Sequence, residues 1–177
     1  MRFAALTFAA ILAVPAAAVA GEGMFTYYPA NDVARRLTDR GLTFVFDKGL
    51  LGAVRMTRIM ATEAPAASDL EPASDRELGV RLEALIGRDA EERDLYAIEA
   101  GAQGPAMIRA FCPGSTKGWL AFGPVKARRD VRVHALGDDP ATGKTRLCAT
   151  MDFRYRGEWK LPGKHSAPLY NQIPDTF

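Results

Sequence analysis

The stretch Thr145–Trp159, TRLCATMDFRYRGEW, constrains the fold more than any other part of the chain. Leu147, Ala149, Met151, Phe153, Tyr155 and Trp159 take the odd positions, and Arg146, Asp152, Arg154, Arg156 and Glu158 the even ones. Side chains of a strand alternate between faces, so this period predicts a long strand with one buried and one solvated face. Upstream, Val131, Val133 and Ala135 alternate with Arg132 and His134 in the same way.

Between these two runs lies GDDPATGKT, Gly137–Thr145. It approaches the phosphate-loop pattern G-x-x-x-x-G-K-[ST], but five residues rather than four separate its glycines. Asp138 and Asp139 place negative charge where phosphates would sit, and a strand pattern follows where the motif requires a helix N-terminus. The segment reads as a hairpin turn built from Asp, Pro and Gly, and nucleotide binding is not expected. Two aspartates offer too few oxygen ligands for calcium.

With the turn centred near Pro140, positions whose numbers sum to about 280 face each other. Arg132 then opposes Cys148, and His134 opposes Arg146. Arg128, Arg132, His134, Lys144, Arg146, Arg154 and Arg156 share the solvated face, with only Asp130, Asp152 and Glu158 to offset them. A cationic face of this kind can bind an anionic polymer or an acidic patch on a protein; it can equally be an ordinary solvated sheet face. An even slip in register would leave its composition unchanged.

The N-terminus places Arg2 before an apolar run and ends in Ala18-Val19-Ala20, the layout of a signal peptide over residues 1–20. Residues 21–177 are then expected to form a single exported domain, periplasmic or secreted, with no transmembrane segment after cleavage. The formal charge of the whole chain is only +2, which gives no global attraction to nucleic acid. Cys112 and Cys148 are the only cysteines, and an even number in an exported chain predicts a disulfide. Closing that loop would stabilise the fold by about 3–4 kcal/mol.

Elsewhere, Asn31 caps a short helix with Val33, Ala34 and Leu37 on one face, ended by Gly41. LTFVFD reads as a strand, KGLLG as a turn, and AVRMTRIMAT as a second strand. The segment from Glu63 to Ser74 is rich in Ala, Ser and Pro and is expected to be an exposed connection. A capping box, Ser74 with Glu77, opens a helix carrying Leu78, Leu82, Leu85 and Ile86 and ended by Gly87. LYAIEA and AMIRAF read as a hairpin across GAQGP, followed by a strand at WLAF. These elements predict an α+β fold: a largely antiparallel sheet of about 5–7 strands with two helices packed on one face.

Catalysis has little to stand on. His134 and His165 are the only histidines, Ser115 is not in a nucleophile elbow, and no metal-ligand spacing occurs, so neither a cofactor nor a metal is expected. The terminal Phe177 is not the end of a lipid-facing strand, because PLYNQIPDTF holds two prolines and no clean alternation. Trp119, Phe122, Phe153, Tyr155 and Trp159 are expected chiefly in the core. The leading expectation is a disulfide-stabilised, non-enzymatic protein that binds an envelope or extracellular protein or an anionic polymer. A carrier of a small apolar ligand and a hydrolase are the alternatives.

Overall fold

The computed structural model describes residues 21–48, 54–61, 67–101 and 103–160. Its eight strands run β1 (Gly21–Pro29), β2 (Leu42–Lys48), β3 (Val54–Ala61), β4 (Ala67–Pro72), β5 (Asp94–Ile98), β6 (Gly118–Phe122), β7 (Val131–Asp138) and β8 (Thr145–Lys160). Each pairs antiparallel with the next, and β8 returns to β1, so the sheet closes into a barrel. The expected open α+β sheet with two helices on one face is therefore wrong. The helices are small: α1 (Asp32–Thr38), α2 (Asp75–Leu78), α3 (Leu82–Ile86) and α4 (Gly104–Phe111).

Three local features account for the difference. Gly21–Pro29 pairs with both β2 and β8, supplying the strand that closes the ring. Within the expected connection, Ala67–Pro72 forms a short strand with Ser68 and Leu70 buried. AMIRAF, read as a strand, belongs to α4: Pro105 sits in its first turn, and Met107, Ile108 and Phe111 share the buried side. The helix expected over 74–86 is split, because Gly79 takes a left-handed conformation that ends α2 after its capping box, and α3 begins at Leu82. The signal peptide, most of the KGLLG turn, residues 62–66 and the tail containing His165 lie outside the described residues.

Eight strands enclose a space that side chains alone can fill. Phe44, Phe46, Phe122, Phe153, Leu120 and Met151 occupy it, all essentially without solvent exposure. Met107, Ile108 and Phe111 of α4 join the same cluster, so the helix plugs the end of the barrel that also carries the β7–β8 turn. Gly118 lacks a Cβ where one would strike Ile108, which lets α4 settle against β6.

A second, smaller core lies outside the barrel. The β4–β5 connection folds back so that Leu78 and Leu82 cover Leu95, Trp119, Ala121 and Leu136 on the outer wall. This is why β6 is buried on both faces. Elsewhere the outer wall carries ion pairs such as Arg58–Asp69 and Arg132–Asp152. Apolar side chains inside and charged pairs outside reverse the arrangement that a lipid-facing barrel needs.

Candidate functional site: the basic outer wall of β8

The β7–β8 hairpin forms, but its register differs from the expected one by four positions. Arg132 faces Asp152 rather than Cys148, and His134 faces Thr150 rather than Arg146. The slip is even, so the faces of β8 beyond Ala149 keep their composition. Toward the turn a bulge intervenes: Ala135 pairs with Ala149, but Leu136 pairs with Leu147, leaving Cys148 as the extra residue. The bulge resolves the conflict of a cysteine on the polar face. It turns Cys148 toward Cys112 at the end of α4, and the two form a disulfide with alpha carbons 5.2 Å apart. Gly137 lies beside it, where a Cβ would overlap Cys112 Sγ and Ser115 Oγ.

GDDPATGKT is a tightly organised turn. Asp138 Oδ1 accepts from the backbone N–H groups of Thr116 and Lys117, and Oδ2 from the Thr116 hydroxyl. Burial opposes the charge of Asp138, but these hydrogen bonds outweigh it and hold the carboxyl below its ordinary range. Asp139 accepts from the N–H groups of Ala141 and Thr142 and is likewise held low. The acceptors are thus occupied by the turn itself, and the strand that follows has no helix N-terminus to offer an anion.

The six basic residues singled out in the sequence separate into different environments. Arg132 is bound to Asp152, Nε to Oδ1 at 2.7 Å, and that hydrogen bond raises its pKa. Arg146 lies beyond the bulge and donates to the Pro113 carbonyl, with Nε 4.0 Å from Asp139. Its role is to tie β8 to the loop after α4. His134 is buried under the β4–β5 connection, its side chain 6% exposed. Its Nδ1 lies 3.0 Å from the Thr150 hydroxyl and its Nε2 3.4 Å from Glu92 Oε2. A hydroxyl, an imidazole and a carboxylate thus line up, but the ring is sealed from solvent between wall and connection, without access for a substrate.

Arg128, Arg154 and Arg156 remain on the surface. Arg154 and Arg156 follow the point where β7 ends, since Val131 pairs with Phe153. Neither forms an ion pair among the described residues. The Arg156 guanidinium instead stacks 4.7 Å from the ring of Tyr28, the β1 residue paired with Arg154. Tyr28 is 46% exposed and Trp159, further along the same strand, 52%. Lys126, Arg128 and Arg129 are exposed on the β6–β7 connection that leads into Asp130, whose carboxylate accepts the Tyr155 N–H. The aromatic members of this surface escaped the sequence reading, which assigned Trp159 to the core. The signal lay in the bulge between Thr26 and Tyr27, opposite Arg156, which no sequence pattern encodes.

Comparison with protein-family models, with curated proteins and with solved structures finds no match to this chain. The disulfide is of the kind that persists in an extracellular or periplasmic space. No described helix is long and apolar enough to cross a membrane.

Proposed function

We propose that the protein is an exported, non-enzymatic binding protein whose barrel presents a basic and aromatic wall to a partner carrying carboxylates. The observation that carries this reading is the contrast among the arginines of β8 and its neighbours. Arg132 is bound to a carboxylate of its own chain, whereas Arg154 and Arg156 have none among the described residues and stand beside two exposed aromatic rings. Arginine and aromatic side chains together are the composition of binding hot spots, where planar groups give contact area and the fork of donors meets carboxylate oxygens. A rigid barrel holds them without ordering cost on binding. The apolar interior is filled by its own phenylalanines, so no observation favours a carrier of an apolar ligand.

The test is a fluorescence-anisotropy titration with labelled oligoglutamate at low and high salt, on the full chain and on Arg154→Glu/Arg156→Glu. Binding that weakens with salt and drops by about 10-fold or more in the variant supports the proposal. Equal binding by both proteins, with unchanged circular dichroism, contradicts it.

A further inference from the structure

A closed barrel has no free strand edge, but this one closes imperfectly. β8 runs sixteen residues, and its ladder with β7 ends at Phe153. From Arg154 to Lys160 it is hydrogen-bonded to β1 on one side only. Along the other side the structure offers a single cross-link among the described residues, the Asp130 carboxylate accepting the Tyr155 N–H. Alternate N–H and C=O groups beyond Tyr155 therefore face outward, the condition under which a strand accepts another chain.

From this edge, and resting on the reading above, we infer that the partner is an extended acidic polypeptide segment that adds to β8 as a further strand alongside residues 156–160. Charge selects the occupant. A second copy of the chain docking edge to edge would bring Arg154 and Arg156 against their own counterparts, and like charges directly across a ladder are destabilising. The chain's own residues 161–177 hold Lys164 against Asp175 and carry three prolines, which neither complements the arginines nor suits a ladder. A segment with alternating acidic and apolar residues meets both needs: carboxylates reach Arg154 and Arg156, apolar side chains lie toward Trp159, and the backbone completes the ladder. An anionic polymer without amide groups could satisfy the charge but not the edge.

The experiment uses the full chain, an alternating Glu/Val heptapeptide, and the same peptide N-methylated at alternate residues along one edge or the other, with charge unchanged. The expected result is protection of the 156–160 amides from hydrogen exchange by the first peptide. One N-methylated form should bind about tenfold weaker, the loss of two or three edge hydrogen bonds. Equal binding by all the peptides would overturn strand addition while leaving the charge reading intact. Loss of salt-dependent binding in Arg154→Glu/Arg156→Glu separates that reading from this one. Protection of 156–160 already present in the free chain, from a second copy or from its own tail, would overturn the inference.

Discussion

The two halves of β8 share one alternating pattern and have opposite situations. Thr145–Phe153 is paired with β7 and tied down by the disulfide at its bulge, the Arg146 contact to Pro113 and the Asp138 network of the turn. α1 leans on it through Asn31, which donates to Asp152 at 2.9 Å and caps its own helix by accepting from Ala34. Arg154–Lys160 has one neighbouring strand, exposed arginines and an exposed tryptophan. The difference teaches that alternation specifies a face and not its use. Charges on the first half are consumed by the fold, and those on the second remain available.

The comparison can be broken at several points. The largest effect is expected in the interior that both halves share: Phe122→Ala removes a fully buried ring stacked 5.1 Å from Tyr96 and should cost about 3–5 kcal/mol in denaturant unfolding. Replacing Cys112 and Cys148 together by serine should cost about 2–4 kcal/mol by loop-closure entropy. Hydrogen exchange should then rise in α4 and Thr145–Phe153 but not selectively in Arg154–Lys160. If the second half loosened first, the division of the strand would be misplaced.

A smaller effect belongs to Asp138. Its folded pKa is depressed, so its contribution is fully present above the unfolded carboxylate value, near about 4. It is lost as pH falls through the lower folded value. Asp138→Ala should cost about 1–2 kcal/mol at neutral pH, discounted because the carboxylate is largely solvent-facing, and should lessen the acid sensitivity of the fold. Unaltered acid unfolding in this variant would remove the turn from the list of restraints on the first half.

Much of the antiparallel topology is legible in the sequence. The strands at 42–48, 54–61, 118–122, 131–138 and 145–160 follow from period-two patterns and turn residues, and the Asn31 cap and the disulfide from local chemistry. Closure is not legible, because it depends on pairing Gly21–Pro29 with the far end of the chain and on a strand, Ala67–Pro72, with only Ser68 and Leu70 turned inward. The Arg154 and Arg156 part of the basic face can be read from parity. The departures of Arg146 and His134 cannot, since one follows from a bulge and the other from a connection folded over the wall.

Binding compared across the two halves tests the central claim most directly. The charge-swapped pair Arg132→Glu/Asp152→Arg alters the first half, and Arg154→Glu/Arg156→Glu the second, each titrated with the alternating Glu/Val peptide at low salt. Because an exposed ion pair contributes about 0–1 kcal/mol, both proteins should fold as the parent does. The account predicts parental affinity for the swapped pair and a loss of about 10-fold or more for the second variant. Equal affinities in all three proteins, or a loss confined to the swapped pair, would contradict it.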